Sequence, residues 1–280
     1  MKITILGSGG GEGFPSAFCS CDHCNAARLA GGKSIRTLSQ TLINDDLLID
    51  FPADTAHHAN AAGISLGTVE NIIITHTHLD HFYPQLLGVR GSCYSHNMRC
   101  TDITLWGSSD VKRVYEGVFA MYGMDKEVID TIYTQEMLAK ETKTIGKYQV
   151  TPIPAKHAPS LIPYNYVIKD GEKTLLYLLD TGYPSAEKLE FLKMNFGYFD
   201  AVIMDSTMGT VGHNNFGGHM SFSEVKKLKN ELVSLGVTDE KTIFIADHIT
   251  HNSAETHDKV EEIFEGSGIT VAYDGMVLEI

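Results

Sequence analysis

The segment NIIITHTHLDHF places His76, His78, Asp80 and His81 within six residues. Three imidazoles and a carboxylate are costly to bury together unless each has a partner. Asn71–Thr75 reads as an apolar strand that runs straight into them. Side chains two apart on an extended chain share a face, so His76 and His78 can reach one cation. The turn that follows can aim Asp80 and His81 at a second. Neutral imidazole and carboxylate oxygen suit Zn2+, Mn2+ or Fe2+, and two such ions about 3.5–4 Å apart form a hydrolytic clamp.

A second cluster stands near the N-terminus in GSGGGEGFPSAFCSCDHC, where Cys19, Cys21 and Cys24 fall within six residues. A structural zinc site needs four ligands, and the local sequence leaves the fourth open, with His23 and the distant Cys100 as competitors. The cysteine count is five, and an odd, clustered set favours metal binding over disulfides. Cys93 and Cys100 otherwise read as buried free thiols.

The chain around these residues is that of an ordinary globular protein. Its 280 residues are 43% hydrophobic and 20% charged, enough for a large core and within the size of one α/β domain, 1–280. A net charge of −13 argues against a general nucleic-acid binder, although bound cations can reverse the potential around a phosphate ester. No signal-peptide core and no apolar run long enough to span a bilayer is present, which leads us to expect a cytoplasmic protein without membrane contact.

Elements that could position the clusters follow from apolar spacing. Strands are expected at Lys2–Leu6, Thr41–Ile43, Leu47–Asp50, Asn71–Thr75, Ile103–Trp106, Tyr148–Ile153, Asn165–Ile168, Thr174–Leu179, Ala201–Met204, Thr242–Ile245, Ile269–Tyr273 and Val277–Ile280. Helical spacing marks Cys24–Leu29, Ala53–Ala62, Tyr83–Val89, Asp110–Tyr122, Ser185–Asn195, Ser223–Leu235 and Ala254–Phe264, with Ser223 and Ser253 as caps. Early strands pair through short turns and later ones alternate with helices, which fits two packed sheets with helices outside. We find no strong internal repeat. The glycines after the first strand fail the dinucleotide pattern, because Glu12 stands where a third glycine should and Pro15 interrupts the helix. They read instead as a tight turn beside a site.

The H-x-H-x-D-H segment at a strand end resembles the signature of the metallo-β-lactamase superfamily. That resemblance implies a four-layer αββα sandwich, two mixed sheets with helices outside, and a two-metal site along one edge. It also implies three further ligands at strand ends: His157 in PIPAKHAPS, Asp180 in LLYLLDTG and His248 in IFIADHITH. One metal would take His76, His78 and His157, the other Asp80, His81 and His248, with Asp180 bridging. The opening glycine and cysteine segment, with the closing DHITHNSAE and VAYDGMVLEI, is similar to the PhnP-type branch, whose members open phosphoribosyl cyclic phosphates. In that pattern His251 completes the structural zinc site of Cys19, Cys21 and Cys24. The region Gly91–Lys147 does not follow the branch.

The resemblance implies a metal-dependent phosphodiesterase with two divalent ions, Zn or Mn, in the active site and one structural Zn. Its substrate would be a small phosphodiester, such as a cyclic ribose phosphate, attacked by a metal-activated hydroxide. His219 is the candidate general acid for the leaving oxygen, with His213 as its rival. Asp80 is a second catalytic candidate, as acceptor of the water's proton. Asp205 would orient a ligand or cap a turn. Two alternatives remain: a tRNA 3′-end nuclease, or a non-catalytic relative like the pyrroloquinoline quinone biosynthesis protein. The first fits poorly with the acidic charge, the second with a full ligand set. The resemblance also implies a homodimer. In the middle region, the helix with Tyr115, Phe119 and Tyr122 would form either the rim of the site or outer packing. Arg90, Arg99 and His96 read as solvated surface, with phosphate contact as the alternative.

Overall fold

The computed structural model describes residues 1–211, 217–252 and 256–280. The strands run in chain order as β1 (Lys2–Gly7), β2 (Gln40–Ile43), β3 (Leu47–Ile49), β4 (Asn71–Ile73), β5 (Ile103–Gly107), β6 (Ile132–Glu136) and β7 (Lys143–Ile145). They continue as β8 (Tyr148–Pro154), β9 (Tyr164–Asp170), β10 (Lys173–Leu178), β11 (Ala201–Asp205), β12 (Ile243–Asp247), β13 (Ile269–Val271) and β14 (Met276–Glu279). They form two seven-stranded sheets in the orders β14-β1-β2-β3-β4-β5-β6 and β13-β12-β11-β10-β9-β8-β7. The helices are α1 (Asp22–Ala30), α2 (Thr55–Ala62), α3 (Ser109–Tyr122), α4 (Lys126–Ile129), α5 (Ala186–Phe196), α6 (Phe222–Ser234) and α7 (His257–Phe264).

Alternation along the strands builds the layers. In β10, Leu175 and Tyr177 turn inward to meet Ile3, Ile5, Ile43, Leu47 and Ile49 of the facing sheet, because successive strand side chains point to opposite faces. Leu176 and Leu178 turn outward, against Leu189 and Leu192 of α5 and Val225 and Leu228 of α6. On the other side Leu48, Ile72 and Leu105 pack beneath Val111, Tyr115 and Phe119 of α3. The result is the expected four-layer αββα sandwich.

Each sheet changes character once. The first is antiparallel from β14 to β3 and parallel from β3 to β6. The second is antiparallel from β7 to β10 and parallel from β10 to β13. β3 and β10 hold equivalent places, and each is followed closely by an aspartate with left-handed backbone, Asp50 at φ 64° and Asp180 at φ 46°. Such backbone is costly for a side-chain-bearing residue and concentrates at functional sites. The sheets thus repeat a topology that the sequence does not repeat.

Several expectations need correction. Tyr83–Val89 is not an α-helix but a 3-10 helix, Pro84–Arg90. α6 starts from Ser221, not Ser223, and Ser221 with Glu224 forms a capping box. α7 begins at His257 after Thr256, while Ser253 lies outside the described residues. β4 ends at Ile73; Ile74 N still donates to Trp106 O of β5 at 2.8 Å, and Thr75 lies beyond the strand before the histidines begin. The middle region supplies β6, β7 and α4, none of them expected. Its helix α3 packs on the outer face, with Tyr115 and Phe119 buried but Tyr122 exposed. Its first turn is tied to the loop that follows His157, where Asp110 Oδ2 accepts from Ile162 N at 2.8 Å. Arg90 donates to the carbonyls of Cys100 and Thr101 at 3.0 and 2.6 Å, and with His96 lines a cavity on the outer face of the first sheet. Arg99 lines a neighbouring cavity.

Candidate functional site

The carboxyl ends of β3, β4, β10, β11 and β12 converge, and all seven expected ligands come together there. The His76 and His157 Nε2 atoms stand 2.9 and 3.1 Å from His78 Nδ1. Beside this group, Asp80, His81, Asp180 and His248 bring one donor atom each within 4.8 Å of the others. Asp180 lies between the two. Its Oδ2 is 2.9 Å from His81 Nε2 and 3.0 Å from His248 Nε2, while Oδ1 faces His157 Nε2 at 3.7 Å.

The remote nitrogens of four of the five imidazoles are engaged. Those of His76, His81, His157 and His248 donate to Thr75 Oγ1 (3.1 Å), Asp50 Oδ2 (2.7 Å), Gly218 O (3.4 Å) and Thr207 Oγ1 (2.7 Å). This pattern fixes the ring orientations and turns an Nε2 lone pair inward from each. The inward ring nitrogens of His76 and His78 at 2.9 Å, and of His81 and His248 at 3.4 Å, face one another. The buried Asp180 Oδ2 accepts no well-aligned hydrogen bond. Facing ring nitrogens, one or both of which can present a lone pair to an ion, and an orphaned carboxylate oxygen fit divalent cations at both groups. Burial and neighbouring His81 push His76 well below the ordinary histidine range. For His81 and His248 burial acts the same way, but Asp180 and Asp80 outweigh it and raise both. The buried carboxylates thus demand positive charge, which protons or a metal can meet.

The glycines of the first turn are held against this site. A Cβ on Gly10 would lie 2.5 Å from Thr250 Cγ2 and 3.3 Å from the His248 ring, and one on Gly11 3.3 Å from Asp80 Oδ2. Asp274, from the closing D-G-M segment, clamps the turn. It accepts from Ser8 N and Oγ at 2.9 and 2.7 Å and from Thr37 N and Oγ1 at 2.7 and 2.5 Å.

Cys19, Cys21, Cys24 and His251 also meet, with one donor atom from each within 4.8 Å of the rest. Cys21 caps α1 and accepts from Cys24 N at 3.5 Å, which lowers its thiol pKa. Burial pushes the Cys24 thiol up to about 11, so a thiolate there calls for a cation. The rivals fall away. His23 Nδ1 donates to His251 O at 2.8 Å, holding the backbone of the fourth residue, and Cys100 donates to Thr68 O at 3.3 Å, elsewhere.

His219 donates from Nδ1 to Asp205 Oδ2 at 2.8 Å, and its ring stacks on His248 with centroids 5.9 Å apart. Burial disfavours its cation, but Asp205 and Asp180 prevail and raise its pKa above the ordinary value. Asp205 and His219 also fall within reach of Asp180 and His248 as a donor group, yet their mutual hydrogen bond accounts for both. Asp205 accepts further from Thr207 N, Thr207 Oγ1 and Met220 N. It therefore orients His219 directly and His248 through Thr207. His213 lies outside the described residues. Sequence reasoning missed Asp50, Thr75 and Thr207 as supports of the histidines.

Residues 46–233 match the family described as beta-lactamase superfamily domain. The chain is 27% identical to ribonuclease Z of Picrophilus torridus over 206 residues, covering 71% of this chain but only 58% of that protein. Among solved structures, a diphosphatase of the PhnP family superposes with a TM-score of 0.76 at 22% identity, covering 100% of this chain and 97% of that one. Zn2+-bound PqqB from Methylobacterium extorquens superposes with a TM-score of 0.73 at 20% identity, covering both chains fully. At these identities the structural likeness speaks to the fold. With two-sheet architecture, strand-end donors and a family match over most of its length, this chain belongs to the metallo-β-lactamase superfamily.

Proposed function

We propose that the protein is a metal-dependent phosphodiesterase acting on a small, cyclic ribose phosphate-like diester. The observation that carries this reading is Asp180, whose two oxygens face two separate groups of imidazole donors. His76, His78 and His157 would hold one divalent ion, Asp80, His81 and His248 the other, and Asp180 both; Cys19, Cys21, Cys24 and His251 would hold a structural zinc. Two divalent ions in such a site supply a nucleophile at neutral pH and neutralise phosphate oxygens. His219 donates a proton to the leaving oxygen, kept charged and oriented by Asp205. Burial would raise the Asp80 carboxyl, but His81 and His248 hold it well below the usual range. It is a weak base, and a ligand role suits it better than proton acceptance.

The match to ribonuclease Z favours a nuclease as second reading. The −13 charge weighs against it, because a polyanion is drawn to basic surface. A non-catalytic role, as for a cofactor-biosynthesis relative, sits poorly with seven gathered donors. All five cysteines are free, which suits a reducing compartment such as the cytoplasm. No helix among the described residues is long and apolar enough to cross a membrane.

The test combines metal analysis with assays on bis(p-nitrophenyl) phosphate, a ribose cyclic phosphate, a tRNA precursor, a lactam and a thiolester. Diester turnover that disappears in His78→Ala and Asp180→Ala supports the reading. One bound zinc with no turnover of any substrate overturns it.

A further inference from the structure

Behind the turns that carry His157 and Asp180 lies a cavity of about 610 Å3, lined by Lys140, Lys156, Lys188, Glu187, Thr181 and Phe191 among others. Three lysines against one carboxylate make a local excess of positive charge in a chain of net −13. Glu187 neutralises little of it. Its 3.4 Å contact with Lys140 joins two exposed groups, and such pairs are weak.

Lys188 is the anomaly. Its Nζ donates to Asn165 Oδ1 at 2.5 Å and to Pro154 O at 3.1 Å. Among the described residues, no carboxylate lies at ion-pair distance from it or from Lys156. It is also the third residue of α5, whose first turn is capped by Ser185. The positive end of a helix dipole repels a cation placed there. Burial adds to this and pushes the amine down to about 7. A buried amine, a helix start and two further lysines around one cavity are all accommodated by a bound anion.

We propose that this cavity is an anion site that takes a phosphate dianion, either the free ion or the monoester group of a larger molecule. Lys156 and Lys188 are its main contacts, and Lys140 closes the rim over the Phe191 ring, 4.9 Å away. The site is separate from the metal donors yet mechanically joined to them. Lys156 N donates to Thr181 Oγ1 at 3.0 Å and Gly182 N to Lys156 O at 2.8 Å, which ties the cavity wall to the residues beside His157 and Asp180. The proposal stands whether or not the hydrolytic reading holds.

Calorimetric titration tests it, with inorganic phosphate added to the zinc-loaded protein and to Asp180→Ala, in which the metal groups are crippled. Phosphate binding that persists in Asp180→Ala and weakens at least tenfold on adding Lys188→Met or Lys156→Ala is expected. No binding to Asp180→Ala, or equal binding with and without the lysine changes, overturns the proposal. Lys156 is exposed, so Lys156→Ala keeps the test decisive if Lys188→Met fails to fold. A parallel titration with glycerol phosphate separates the sources: tighter binding than inorganic phosphate marks a carried phosphate group, equal binding the free ion.

Discussion

Asp50 Oδ2 accepts a 2.7 Å hydrogen bond from His81 Nδ1, and neither side chain is exposed. The same carboxylate accepts from Thr75 N at 2.7 Å and from Thr75 Oγ1, the hydroxyl that meets His76. One aspartate therefore orients imidazoles of both donor groups. Loss of such a partner lowers metal affinity 10–100-fold. Asp50→Asn is expected near the lower figure and Asp50→Ala near the upper, measured by competition with a chelator. Unchanged affinity in both would show that Asp50 supports the fold alone.

His219 as proton donor makes a prediction about leaving groups. An alkoxide needs a proton on departure, whereas p-nitrophenolate hardly does. His219→Gln and Asp205→Asn should therefore lower kcat by about 10²–10⁴-fold on an alkyl or ribose diester. On bis(p-nitrophenyl) phosphate the loss should be less than tenfold. Equal losses on both substrates would assign His219 to binding.

The cysteine site should behave independently of the others. His251→Ala is expected to release one equivalent of zinc and leave two, read by elemental analysis. Because a closed tetrahedral site contributes folding energy, limited proteolysis should then cut first within residues 10–24. Release of all the metal would join the sites instead.

Lys188 makes stability depend on pH. Its amine is pushed down to about 7 from 10.5. Below pH 7 both folded and unfolded chains carry the proton, and folding bears the full cost. Between pH 7 and 10.5 the folded chain has lost the proton while the unfolded chain retains it, so the cost falls and stability rises with pH. The rise should be on the order of 2 kcal/mol, tempered by access to the cavity. Denaturation across this window should show it in the wild type, with a flatter course in Lys188→Met. Parallel curves for the two would refute it.

His76, His78, Asp80, His81 and the three cysteines are legible as dense runs of ligand types. His157, Asp180, His248 and His251 are legible through the family resemblance, which the apolar strands before the first three support. Asp50 has the same strand-end setting, LLID beside the LLYLLD of Asp180, but no histidine near it in sequence. Its partner is 31 residues away, and only the pairing of β3 with β4 brings them together. β6 escaped notice for a different reason: it is an edge strand whose residues IYTQE are mostly solvent-facing, so it lacks an apolar pattern. Ser221 was legible in principle, since Ser221 and Glu224 have the spacing of a capping box. Ser223, adjacent to Glu224, competes with Ser221 as a cap in the sequence alone.

β1 pairs with β14, Lys2 opposite Glu279, and Cys24 meets His251 at 3.7 Å. The residues of β1 and the three cysteines thus wait for partners made much later in the chain. Until then β1 lacks one neighbour and the three thiols lack their imidazole, so this clasp can close only after β12 and the turn beyond it have emerged. At about 5–20 residues per second, the interval is many seconds, long enough for chaperones or small-molecule thiols to reach the exposed cysteines first. Zinc capture then becomes a late event, marking a chain in which the segment of His251 has folded back onto the cysteines.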